Sequence, residues 1–395
     1  MCFAHRGRAL LSKPSEATPD SRSAAARREA RGSPEVGASM LPMLRKRSKS
    51  TVALDIGSSV VKCLRVDHSS ENPLVTHFAM VDLVPEAIVD GEIMDRDMVV
   101  EAVRECIGRA GVPETQVVSA IGGRSVIVKK ILMDKMAAAD AQEAILWEAE
   151  QHVPFDIDDI SLDFQIVKDD VGADQMEILL VAARRDTIQS HAELLREADL
   201  NPVIVDVHSF ALQNCYEEIT GGPSEEVVGL LNVGSETTNV AIVQNGVPYF
   251  TRDLTVGTNR LVEEFQKRFG MNDDDARQAV ANPTAQEDLT AEALLDAVTD
   301  VADEISTGVE RSLSFLRTSG DAETIDRLVL SGGGGSFPGL ADYLKERHEI
   351  DVDVSDPLGS IEYDPEIFED ADVERVSPLL TVGLGLGLRK VGDKQ

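Results

Sequence analysis

Short apolar runs that end in turns rich in glycine and hydroxyl groups recur along the chain. Val52, Ala53 and Leu54 precede Asp55-Ile56-Gly57-Ser58-Ser59, and the apolar alternation resumes from Val60 to Val66. That pattern predicts a buried strand, a tight turn and a second strand. Val227 to Leu231 repeats it before Asn232-Val233-Gly234-Ser235-Glu236-Thr237-Thr238-Asn239, with Val240 to Val243 as the return strand. A third apolar run closes on Ser331, four glycines from Gly332 to Gly335, then Ser336-Phe337-Pro338-Gly339 and a helical start at Leu340. Four ordered glycines are costly unless the backbone needs an approach that a Cβ would block.

Asp95 to Ala110 carries apolar residues at helical spacing and ends at Gly111-Val112-Pro113. Val117 to Ile121 and Val126 to Ile131 predict strands around Gly122-Gly123, and Ala137 to Gln151 predicts a helix that stops before Pro154. The stretch from Val81 to Phe164 reads as an inserted subdomain, with Trp147 packed on its second helix. Strand Glu177 to Ala183, helix Thr187 to Ala198 and strand Pro202 to Val207 give a βαβ rhythm and hence a parallel sheet. His208 has no nucleophile near it in sequence, so its expected role is structural, at the start of a helix from Phe210 to Ile219.

Gly221-Gly222-Pro223 divides the chain into two halves. In the second half a hairpin turn is expected at Gly246-Val247-Pro248, a helix opened by Thr255-Val256-Gly257-Thr258-Asn259 and running to Phe269, and a long helix from Leu294 to Leu316 before the strand Ile325 to Leu330. The alternating leucines and glycines from Leu379 to Leu388 are too short to span a bilayer and predict a closely packed buried helix.

A chain of 395 residues suffices for two full cores. Residues 1–50 hold eleven Lys and Arg against four Asp and Glu, a net +7, which leaves −39 on the rest of a chain whose total is −32. So acidic a body disfavours nucleic acid. Residues 1–48 lack apolar periodicity and the apolar core of a secretory signal, and read as a disordered basic extension; Met40 and Met43 offer later starts. Cys2, Cys63, Cys106 and Cys215 are scattered, which fits neither a zinc site nor a disulfide framework. The acidic cluster Glu143, Glu148, Glu150, Asp156, Asp158 and Asp159 lacks the spacing of a calcium loop and reads as a solvated face.

The turns suggest chemistry. Gly57 allows close approach of an oxyanion, Ser58 and Ser59 can donate to it, Asp55 can hold Mg²⁺ through water, and Lys62 adds positive charge. A plain β-turn between two strands would also account for the first of these stretches.

The order of the three turns resembles the actin-like ATPase superfamily. Five stretches resemble, more particularly, the PilM family of type IV pilus assembly, relatives of FtsA. These are DIGSSVVKCLRV (Asp55 to Val66), EAILWEAEQHVPFDIDDISLDFQIV (Glu143 to Val167), LLVAARRDTIQSHAELLREADLNPVIVDVHSFAL (Leu179 to Leu212), NVGSETTNVAIVQNGVPYFTRDLTVG (Asn232 to Gly257) and LSGGGGSFPGL (Leu330 to Leu340). The resemblance implies an α/β, actin-like (ribonuclease H-like) duplicated two-domain fold with nucleotide in the central cleft. Half I would span 49–221, with a 1C-type α+β subdomain at about 81–164. Half II would span 222–380 with an outer subdomain at about 258–300, and a C-terminal helix, 381–395, would pack back on half I.

The cofactors implied are ATP and Mg²⁺. The binding residues implied are Asp55, Gly57, Ser58, Ser59, Lys62, Asn232, Gly234, Thr237, Thr238, Gly257, Gly332, Gly333, Gly334, Gly335 and Phe337, with Asp55 reaching the metal through water and no residue assigned to catalysis. The second phosphate loop of the superfamily normally begins with Asp, and here Asn232 stands there. An amide cannot act as a base, so hydrolysis is expected to be weak or absent, with Glu236 the nearest compensating carboxylate. The partner implied is the cytoplasmic N-terminus of a PilN-like inner-membrane protein, in a groove between the core of half I and the insert. Other platform proteins and a homo-oligomer are compatible, membrane association would be indirect, and the location would be cytoplasmic, at the inner face of the membrane. The alternatives are a polymerising FtsA-like protein and an active ATPase or kinase.

Overall fold

The computed structural model describes residues 50–283, 290–319, 324–369 and 371–390. The basic extension and the last residues of the expected C-terminal helix lie outside them.

The apolar run around the first turn forms β1 (Ser50–Ile56) and β2 (Val60–Asp67), and β3 (Leu74–Asp82) continues the meander. A small hairpin, β4 (Ile88–Val89) and β5 (Glu92–Ile93), leads to α1 (Arg96–Ala110). The Asp95 carboxylate accepts from the Met98 N–H at 3.1 Å to start α1, and Gly111, at φ 64°, ends it. Then come β6 (Gln116–Ile121), β7 (Val126–Asp134), α2 (Ala138–His152), β8 (Ile160–Gly172), β9 (Gln175–Arg184), α3 (Arg185–Glu197), β10 (Asn201–Val207) and α4 (His208–Thr220). The second half contains β11 (Val228–Val233), β12 (Thr238–Gln244), β13 (Val247–Leu254), α5 (Thr258–Phe269), α6 (Asp273–Ala281), α7 (Ala291–Ser319) and β14 (Arg327–Ser331). It ends with α8 (Leu340–His348), β15 (Asp351–Val354), β16 (Glu362–Tyr363), α9 (Val373–Val376) and α10 (Thr381–Gly387).

The duplication is visible in the pairing. The first sheet runs β10-β6-β1-β2-β3-β16, with β1 antiparallel to β2 and parallel to β6. The second begins β15-β14-β11-β12-β13, with β11 antiparallel to β12 and parallel to β14. Each half is therefore a three-stranded meander extended on one side by two parallel strands. This is the actin-like fold.

Two expectations about strands are corrected. Val117–Ile121, grouped with the insertion from composition, is β6, between β1 and β10 in the first sheet and parallel to both. The excursion from that sheet follows Gly122 and consists of β7, α2, β8 and β9, whose strands continue the second sheet through β13. The hairpin before β13 turns at Asn245-Gly246, with Gln244 paired to Val247 and both turn residues at positive φ, the geometry that a two-residue hairpin loop requires.

The C-terminal run is the expected buried helix. A Cβ on Gly385 would lie 1.8 Å from the Ala211 carbonyl of α4, and one on Gly383 would lie 2.8 Å from Leu64. Glycine thus lets α10 rest on α4 and β2. Beyond it, Arg389 is fully buried and its guanidinium is 3.0 Å from the Asp206 carboxylate at the end of β10. Trp147, by contrast, is 73% exposed, because the buried face of α2 is formed by Ala141, Ile145 and Ala149. Among the described residues no helix is long and apolar enough to cross a membrane.

Candidate functional site

Parallel strands direct their C-terminal ends to a common edge, where loops can converge on a ligand. Here β1, β6 and β10 bring Gly57, Gly122 and His208 to the edge of the first sheet, and β11 and β14 bring Gly234 and Gly332 to the edge of the second.

The two phosphate-like turns have the same construction. The Gly57 N–H donates to Val60 O at 3.0 Å, and the Gly234 N–H donates to Thr237 O at 2.9 Å. In each the next residue is a serine, and these two serines meet: Ser58 Oγ and Ser235 Oγ are 2.7 Å apart. Ser235 was not singled out in the sequence, although its place after Gly234 matches that of Ser58 after Gly57. A second link crosses beside it, from the Asp90 N–H of the β4–β5 hairpin to Glu236 Oε2 at 2.8 Å. Burial raises the Glu236 carboxyl above its ordinary range against the opposing pull of that N–H, and Asp90 adds to the rise.

Asp55 is buried and accepts from Lys62 Nζ at 2.8 Å. These two predicted ligands neutralise one another, so a cation or phosphate arriving here competes with an existing ion pair. Ser59 is exposed, and its carbonyl accepts from the Leu83 N–H. Thr237 is partly exposed at the turn, whereas Thr238 is buried with its hydroxyl donating to Val256 O at 2.8 Å. The Asn232 Nδ2 donates to Asn239 Oδ1 at 3.0 Å.

Most of the glycines serve close contacts within the protein. A Cβ on Gly257 would stand 2.5 Å from Gly234 O, one on Gly332 2.5 Å from Val233 O, one on Gly334 2.4 Å from Val233 Cγ1, and one on Gly335 2.6 Å from Ser331 O. Gly333 alone of the four has open space on that side, and it is exposed. The Phe337 side chain belongs to the second-half core, edge-on to Phe265. The gap between Gly257, Leu261, Val298, Gly334 and Phe337 is apolar and holds about 10 Å³, room for a single water.

His208 takes the structural position expected, as the first residue of α4, with its ring against Gly122; a Cβ there would be 2.6 Å from Nδ1. Among the described residues no group of three or more His, Cys, Asp or Glu is arranged to hold a metal ion by itself.

The sequence model of the family described as Type IV pilus assembly protein PilM matches residues 53–391. A solved PilM-PilN type IV pilus biogenesis complex is 26% identical and covers 88% of this chain and 99% of that one, with a TM-score of 0.74. The ethanolamine utilization protein EutJ of Carboxydothermus hydrogenoformans, 14% identical, covers 86% of this chain and 89% of its own, with a TM-score of 0.51, and shares the fold.

Proposed function

This chain belongs to the PilM family of type IV pilus assembly proteins, and from that membership we propose that it is an ATP-binding scaffold of the pilus assembly platform. Its proposed partner is the N-terminal peptide of a PilN-like inner-membrane protein. The support is the likeness to a PilM-PilN complex over 88% of the chain. The proposed seat is the groove between the first half and the inserted group, which keeps the protein at the cytoplasmic face of the membrane through its partner.

The nucleotide part rests on the Ser58–Ser235 contact, which joins two donor-rich turns at the converging edges of both sheets. A triphosphate fits there by exchanging that hydroxyl pair for bonds to its own oxygens, with Ser58, Ser59, Ser235 and Thr237 as donors. Its base would lie along the open side of Gly333, since the gap behind the turn admits only a water. Lys62 would turn from Asp55 to a phosphate and leave Asp55 for a hydrated Mg²⁺. Bound ATP supplies the charge and reach to bridge the halves, while Asn232 offers an oxygen acceptor and no base. Glu236 faces Asp90, so hydrolysis is slow or absent and the nucleotide acts as a clamp. Titration calorimetry with ATP and Mg²⁺, alongside a phosphate-release assay, tests this. Saturable binding with little release agrees with it, and an absence of binding removes the nucleotide from the account.

A further inference from the structure

Asp253 stands where three parts of the chain meet. It lies on β13 directly opposite Asn239 of β12. Its Oδ1 accepts from Asn239 Nδ2 at 2.7 Å, and its Oδ2 accepts from the Gly123 N–H at 2.6 Å. An ionised carboxylate only accepts, so Asn239 must turn its NH₂ to Asp253 and its oxygen away. That oxygen accepts from Asn232 Nδ2 at 3.0 Å, which leaves Asn232 Oδ1 facing Ser331 Oγ, 3.4 Å away, and the Gly332 turn. One charge thereby fixes the orientation of two amides and puts an acceptor at the second phosphate turn.

The other end of this chain of bonds holds the insertion. Gly123, at φ 75°, lies just ahead of β7, where the backbone leaves the first sheet. Beyond it, β7 joins β13 through the single pair Phe250–Lys129, with Lys130 Nζ 4.3 Å above the Tyr249 ring. A seam of one ladder pair is marginal, so the charge-assisted bond from Gly123 to Asp253 weighs heavily in it.

We infer that Asp253 is a positioning residue that couples the second phosphate turn to the seat of the inserted group. A ligand that draws on Asn232 Oδ1 shifts the two amides, alters the hold of Asp253 on Gly123, and so changes the firmness of the β13–β7 seam. The coupling rests on the nucleotide reading given above.

Hydrogen–deuterium exchange of residues 126–130 and 249–253 in the full chain, with and without ATP and Mg²⁺, tests it, with ATP binding titrated in parallel. In the wild type, ATP changes seam exchange by about tenfold or more. Asp253→Asn raises seam exchange without ATP and abolishes the response, while β1 and β2 exchange as before. Asn239→Ala, which spares the Gly123 bond, keeps the seam slow and loses only the response. ATP that binds but leaves the wild-type seam unchanged overturns the coupling, as does equal seam exchange in the wild type and Asp253→Asn. Failure of ATP to bind, seen in the titration itself, overturns the nucleotide reading and the coupling together.

Discussion

Ser58 and Ser235, 177 residues apart, share a hydrogen bond of 2.7 Å between their hydroxyls. Each follows the glycine of an equivalent turn, so the contact joins matching points of a duplicated fold. On the proposed nucleotide reading, an entering phosphate would take both hydroxyls for itself. Ser58→Ala is expected to weaken ATP binding about tenfold, the size of a lost hydrogen bond to a charged group, with the unfolding midpoint nearly unchanged. Titration with a fluorescent ATP analogue measures the first quantity and urea denaturation the second. Unchanged affinity would detach the serine pair from nucleotide binding.

The glycines of α10 are not equivalent. An added methyl at Gly385 meets the rigid carbonyl of Ala211 at 1.8 Å, whereas at Gly383 it meets the flexible end of Leu64 at 2.8 Å. Gly385→Ala is expected to cost about 3 kcal/mol or to prevent folding, and Gly383→Ala about 1 kcal/mol or less. Urea midpoints of the two variants, compared with the wild type, decide this. Equal costs would mean that α10 does not rest on α4 as described.

The ion pair Arg389–Asp206 fastens the chain beyond α10, and both side chains are fully buried. Removing one partner strands the other charge, so Asp206→Asn alone is expected to cost about 3–5 kcal/mol. Pairing it with Arg389→Met relieves the stranded charge, and the double variant is expected to be more stable than the sum of the single losses. A double-mutant cycle by chemical denaturation measures the difference. Strict additivity would contradict a direct pair.

Burial, with a smaller contribution from nearby His208, lowers the His191 imidazole to a pKa of about 4. Its ring is enclosed beside the Ser119 hydroxyl, 3.0 Å from Nε2, although the residue keeps some surface. The folded chain therefore holds it neutral where the unfolded chain, with a pKa near 6.5, takes up a proton. Its contribution is full above about pH 7 and declines as the pH falls from 6.5 towards 4, a loss of about 2 kcal/mol by pH 5. Denaturation at pH 7.5 and pH 5, repeated for His191→Gln, isolates this part. A variant as acid-sensitive as the wild type would show that His191 does not carry it.

Much of this was legible in the sequence, because strand, turn and strand around Gly57 and Gly234 are local patterns. The run from Gly332 to Gly335 predicts a close approach of backbone, and in the structure three of those glycines meet the protein's own atoms while Gly333 faces open space. What escaped depends on distant pairing. Val117–Ile121 looks the same inside an insertion as in the central sheet, and only its parallel ladder with Val52–Leu54 decides. Trp147 could have been placed, since Ala141, Ile145 and Ala149 already mark the inner face of its helix. The link from Asn232 through Asn239 to Asp253 follows from the register of a hairpin that carries a bulge at Ile242–Val243, which sequence spacing does not reveal.

The most direct test of the scaffold is binding of the N-terminal peptide of the same organism's PilN-like protein to the purified chain, with and without ATP and Mg²⁺. The account predicts saturable binding that tightens when ATP is present. Absence of binding in both conditions would contradict it.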